Sequence, residues 1–72
     1  MFLLTKTSIY EVTSNVLGVY RVKKIALLPG ESSSVDVGTS YEGDRVEFNE
    51  RGHLVLYNGD VKVLETTHIT NL

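Results

Sequence analysis

Apolar and polar side chains alternate with a period of two through the carboxy-terminal half of the chain, and two turn signals set where the alternation reverses. Asn58-Gly59 is a strong short-range hairpin signal and predicts pairing of Tyr57 with Asp60, Leu56 with Val61 and Leu54 with Val63. Upstream, Asn49-Glu50-Arg51-Gly52 suits a type I turn followed by a left-handed glycine, which predicts Phe48 opposite Leu54 and Val46 opposite Leu56. The two registers agree. They put Val46, Phe48, Leu54, Leu56, Val61 and Val63 on a core-facing side of a three-stranded meander, and Arg45, Glu47, Val55, Tyr57, Asp60 and Lys62 on the opposite side.

The first half is less regular. Phe2 to Val12 alternates imperfectly and reads as one strand, Asn15 to Gly18 as a turn, and Val19 to Leu28 as a longer strand ended by Pro29-Gly30. In that longer strand Tyr20 and Val22 share one face while Ile25 and Leu27 share the other, so a β-bulge is expected at Lys23-Lys24. Glu31-Ser32-Ser33-Ser34 reads as a polar surface loop, and Val35-Asp36-Val37-Gly38 as a short extended piece leading to a turn at Gly43-Asp44.

Composition supports strands throughout. Ten Val, three Ile and seven Thr make 20 of 72 residues β-branched, against one Ala and no Gln, and no window carries a capped helical stripe. The expected fold is all-β: about five short antiparallel strands, too few for two full sheets, forming one strongly bent sheet that closes into a small barrel. This arrangement resembles an SH3-like barrel; an OB-fold suits the chain less well because it is short and shows no helix. Fold analogy carries no function by itself.

Length bounds the chain to a single domain over residues 1–72, with a stability of a few kcal/mol expected at about this size. With 42% apolar and 22% charged residues and a net charge of -2, the chain is not of the disordered class. Cysteine is absent, which excludes disulfides and thiolate chemistry and suits a reducing cytoplasm. The apolar start Met1-Phe2-Leu3-Leu4 is too short for a signal peptide or a membrane span, so a soluble, complete small cytoplasmic gene product is expected. Charge is unevenly placed, +3 over residues 1–30 and -5 over residues 31–72.

Candidate chemistry is sparse. His53 and His68 have no second ligand at metal spacing, and Ser32, Ser33 and Ser34 have no neighbouring base. Glu42 and Asp44 flank a glycine and read as turn residues, and no phosphate loop or hydrolase motif occurs. No enzymatic activity, cofactor or metal is expected. Nucleic-acid binding is an alternative: Tyr20, Arg21, Lys23 and Lys24 place three cations and an aromatic on one strand, although a pI near 5.5 opposes phosphate binding. Protein binding is favoured, through the meander face of Val55 and Tyr57 ringed by Arg45, Glu47, Asp60 and Lys62, or through a free strand edge that accepts a partner or a second copy. Small non-catalytic proteins of this kind are often accessory or regulatory factors that modulate something larger; phage- or plasmid-encoded inhibitors of host machinery fit that description.

Overall fold

A computed structural model describes residues 1–31 and 36–71. Its strands are β1 (Phe2–Leu4), β2 (Ser8–Ser14), β3 (Tyr20–Leu27), β4 (Ser40–Gly43), β5 (Arg45–Phe48), β6 (His53–Asn58) and β7 (Val61–His68). They form two antiparallel sheets, β1-β2-β3-β4 and β5-β6-β7, which are not closed into a barrel. The all-β expectation holds, but among the described residues seven strands in two sheets replace the single bent sheet of about five.

The extra strands come from two local breaks, one made by a side chain and one by the lack of one. Thr5 Oγ1 accepts the N–H groups of Thr7 (3.3 Å) and Ser8 (3.0 Å), and the Thr5 N–H donates to the Ser8 carbonyl at 2.9 Å. This local bonding competes with extension and folds the expected Phe2–Val12 strand into a hairpin that pairs Leu3 with Tyr10. At the other break, Gly43-Asp44 is not a hairpin turn: β4 passes into β5 and the chain changes sheet. A Cβ on Gly43 would lie 2.2 Å from the Tyr57 carbonyl oxygen, so the chain crosses β6 where no side chain fits. Asp44 donates its N–H to the same carbonyl at 2.9 Å, and its carboxylate accepts the Gly59 N–H.

In the first sheet Ile9 pairs with Ala26 and Tyr10 with Lys24, leaving Ile25 as the extra residue of a bulge one position beyond the expected Lys23-Lys24 step. Before it, Val22 and Lys24 face inward and are buried, with Tyr20 packed at the core edge; Ile25 and Leu27 are exposed. The segment after the undescribed residues is tied to β3, since Gly38 donates to the Lys24 carbonyl (2.8 Å) and Lys24 to the Thr39 carbonyl (3.0 Å). The Ser-rich loop and Val35 expected over residues 32–35 lie outside the described residues.

The β5–β6 register is the expected one, Val46 opposite Leu56 and Phe48 opposite Leu54, although Phe48 is exposed at the sheet end. The β6–β7 register is different. Its two-residue loop is Gly59-Asp60, with Asn58 paired to Val61 and Tyr57 to Lys62; beyond Val63, Leu56 faces Leu64. Of Asn58 and Gly59 only the glycine has a positive φ, at 62°, so the Asn-Gly turn that needs two such residues does not form. A second slip follows at Leu54, whose N–H bonds the Thr66 hydroxyl at 3.0 Å. Val61 is consequently 66% exposed rather than core, Val63 only packs at the core edge, and Leu64 and Thr66 take the buried positions.

The core joins the inner faces of both sheets: Leu3, Tyr10, Val12 and Val22 from the first, Leu54, Leu56 and Leu64 from the second, and Ile69 beyond β7. The carboxy-terminal segment then covers the outer edge of β1. Thr5 bridges Ile69, the Thr70 N–H donates to the Leu4 carbonyl at 2.7 Å, and Asn71 accepts the Leu4 N–H (3.0 Å) while donating to the Phe2 carbonyl (3.1 Å). This side-chain imitation of a strand blocks the edge against further pairing.

The observed β6–β7 register is testable by paired truncation. Leu64→Ala should cost about 2–5 kcal/mol in chemical denaturation, whereas Val61→Ala should stay within about 0.5 kcal/mol; the register expected from the turn signal alone ranks them the other way. Gly43→Ala should be destabilising by about 1–3 kcal/mol, because its Cβ collides with backbone.

Candidate interaction surfaces

The outer face of β5-β6-β7 is built from two cross-strand rows, Arg45–Tyr57–Lys62 and Glu47–Val55–Glu65, with His53 one pair further along β6. Arg45 and Glu47 form an ion pair, and the Arg45 guanidinium stacks 4.2 Å from the centre of the Tyr57 ring. Glu65 is the hub of the rest. Its carboxylate accepts from Lys62 Nζ (2.9 Å), His53 Nδ1 (2.8 Å) and Asn49 Nδ2 (3.1 Å).

The hydrogen bonds from Lys62 and then His53 hold the Glu65 carboxyl well below the usual range, at about 2, and the Lys62 ammonium is correspondingly raised. Of the six side chains expected on this face, five lie there and Asp60 sits in the exposed loop beyond it. Val55 is buried rather than offered to solvent, because Glu47 and Glu65 lie opposite it on either side and His53 and Tyr57 are its same-face neighbours along β6. Tyr57 is half-buried. The face satisfies its own polar groups, and docking onto it would desolvate paired charges.

Tyr20, Arg21, Lys23 and Lys24 do not form one surface. Lys24 is 1% exposed and Tyr20 packs on the core, both facing inward; Arg21 and Lys23 face out. There Arg21 lies 3.6 Å from Glu42, and Lys23 is opposite Glu11 across the β2–β3 ladder. Strand alternation divides the four residues, and each outward cation has an acid beside it.

Both histidines are engaged: His53 with Glu65, and His68 donating from Nδ1 to the Arg51 carbonyl at 2.9 Å above Gly52. His53 and Glu65 form an imidazole–carboxylate pair, yet no described serine or threonine hydroxyl is hydrogen-bonded to either histidine. Among the described residues no group of three His, Asp or Glu side chains is placed to hold a metal ion, and no helix is long and apolar enough to cross a membrane.

The most unusual surface was not anticipated: the tip of the β2–β3 hairpin. Asn15 Oδ1 accepts the N–H groups of Leu17 (2.9 Å) and Val19 (3.1 Å), Asn15 N–H donates to the Val19 carbonyl and Gly18 N–H to the Asn15 carbonyl, both at 3.1 Å. With Gly18 at φ 80°, the turn is fixed and holds Val16 and Leu17 outward, 101% and 83% exposed. The segment from Val12 to Tyr20 carries no charge. Beside its base is a shallow depression of about 160 Å³ lined by Thr13, Ser14, Asn15, Val19, Arg21 and Glu42. The signal was present in the sequence: Asn15 and Gly18 are ordinary turn residues, but Val16-Leu17 at the turn centre is not.

Compared with known proteins, the chain matches no family model, no curated protein and no solved structure.

The Glu65 hub makes a pH prediction. Because its folded pKa of about 2 lies below the ordinary 4.5, its stabilisation is present in full above pH 4.5 and is lost as pH falls through 2. Urea midpoints for the parent and for Glu65→Gln should therefore differ at pH 7 and converge as the pH is lowered across that interval.

Proposed function

We propose that the protein is a non-catalytic binding protein, an accessory or regulatory factor that docks the Val16–Leu17 tip into an apolar pocket of a larger protein. The observation that carries this is the fixed, exposed pair itself: two large apolar side chains held in water by a turn whose hydrogen bonds are already made. Burying each would contribute roughly 1.5–3 kcal/mol, and the preformed turn lowers the ordering cost of binding. The uncharged tip has no attraction for phosphates or anionic lipid, which favours a protein pocket. An inhibitor of a host protein, encoded by a phage or plasmid, is one form such a factor takes, and a cytoplasmic setting suits a chain without cysteine.

The same reading treats the two sheets as halves of an SH3-like barrel, supported by the passage of β4 into β5 and by the Thr5–Ile69 bridge between the first sheet and the end of β7. A second reading keeps the outer face of β5-β6-β7 as the docking surface, centred on Tyr57 and Arg45 with Glu47, Lys62 and, at the loop, Asp60. It is supported by the exposure of the four charged residues there.

The test is affinity capture from the source cell, followed by titration of the captured protein against variants. Val16→Ser combined with Leu17→Ser should weaken binding at least about tenfold and leave the unfolding free energy within about 0.5 kcal/mol. Loss of binding in Tyr57→Ala with the tip variant unaffected would move the site to the second face. Single-stranded DNA titrated at low salt should show no binding; binding that falls steeply with salt would instead favour Arg21 and Lys23 as phosphate contacts.

A further inference from the structure

The outer faces of the two sheets are finished differently. On the second sheet, ion pairs close over the one apolar position, Val55. On the first, the register lines up an apolar row, with Leu4 opposite Ile9 and Ile9 opposite Ala26. The adjacent row runs from Phe2 to Glu11 to Lys23, and beyond it Thr13 faces Arg21 and Arg21 faces Glu42. These positions alternate with the core residues Leu3, Tyr10, Val12 and Val22, so they share the outer face. Phe2 is 55% exposed, and Leu4, Ile9 and Ala26 remain partly accessible, since the second sheet packs on the other side. Glu11 and Lys23 form no ion pair with another described residue.

We propose that this face packs against the same face of a second copy of the chain, about a two-fold axis that runs parallel to the strands between β2 and β3. The occupant is identified by charge. The face holds two acids, Glu11 and Glu42, and two cations, Arg21 and Lys23, so it is neutral as a whole and offers no net attraction to nucleic acid or anionic lipid. A two-fold interface must be complementary to itself. This axis exchanges β2 with β3, setting Glu11 over Lys23 of the second copy, Lys23 over its Glu11, and Ile9 over its Ala26. Sheets stacked face to face with strands nearly aligned are a standard packing. Edge-to-edge pairing through β1 is blocked by Thr70 and Asn71, so a second copy cannot extend the sheet at that edge. An axis along the strands also brings both hairpin tips out at the same end; that consequence alone rests on the proposed role of Val16 and Leu17, and would let a bivalent partner be held by both.

The test is sedimentation equilibrium of the full chain from micromolar to millimolar concentration. The parent should shift from its 8.0 kDa monomer mass to twice that value. Glu11→Lys and Lys23→Glu should each weaken the dimer about tenfold or more, because each sets like charges together twice. An equimolar mixture of the two variants should recover dimerisation, since both charge pairs across the mixed interface are then of opposite sign. Within each variant chain residues 11 and 23 still carry like charges, so recovery cannot arise from a repaired fold. Circular dichroism should show both variants folded, and Ile9→Ser, which removes apolar contact without adding a charge, should weaken the dimer independently of the charge pairs. A parent that stays monomeric at millimolar concentration, charge variants that associate as the parent does, or a mixture no better than its components would each overturn the proposal. None of those results would touch capture of a larger protein by the hairpin tip, which is scored on the Val16 and Leu17 substitutions.

Discussion

The structure depends on one close approach, that of the Gly43 backbone to the carbonyl of Tyr57. It is here that the chain leaves the first sheet and enters the second, so the packing of the two inner faces rests on a contact only a glycine can make. Asp44 fastens the crossing from both sides: its N–H shares the Tyr57 carbonyl, and its carboxylate takes the Gly59 N–H of the next hairpin. The sheet change, the strand β6 and the β6–β7 turn are thereby one hydrogen-bonded unit. In a chain of 72 residues without disulfide or metal-ligating cysteine, such local cross-bracing supplies what core size cannot.

Much of the fold was legible in the sequence where side-chain period and turn chemistry agreed. The β5–β6 hairpin is the best instance, since Asn49 and Gly52 specify the turn and Val46, Phe48, Leu54 and Leu56 specify the register. Elsewhere single hydrogen bonds and turn residues override the side-chain period. Thr5 breaks a run that alternates well enough to be one strand. Gly59 takes the positive-φ position alone, slipping Val61 out of the core and bringing Leu64 in. The bulge at Ile25 was foreseen to within one residue because an apolar phase slip has few other physical solutions.

The candidate surfaces were legible in the same uneven way. Alternation correctly gathered Arg45, Glu47, Val55 and Tyr57 on one face, but alternation says nothing of what those side chains do to one another. Glu65, outside the predicted set, organises the face: by drawing in Lys62, His53 and Asn49 it turns a row of exposed charges into a self-satisfied network beside Val55. A sheet face that pairs its own charges loses much of its capacity to recognise others, because a partner must replace bonds already made. The division of Tyr20, Arg21, Lys23 and Lys24 between the two sides of β3 follows from the same period and disperses a cluster that looks basic in one dimension.

The remaining apolar side chains gain meaning from this contrast. A small domain stabilised by few buried residues loses a scarce resource when it leaves Val16 and Leu17 in water. Turn propensity does not demand them, since polar residues would close the same loop at no cost to the Asn15 bonds. A disordered tip would make their exposure incidental, but the turn is fixed by a side-chain oxygen and a positive-φ glycine. Apolar surface held rigidly outward contributes nothing to folding, and its favourable free energy is realised only when something else excludes the water from it.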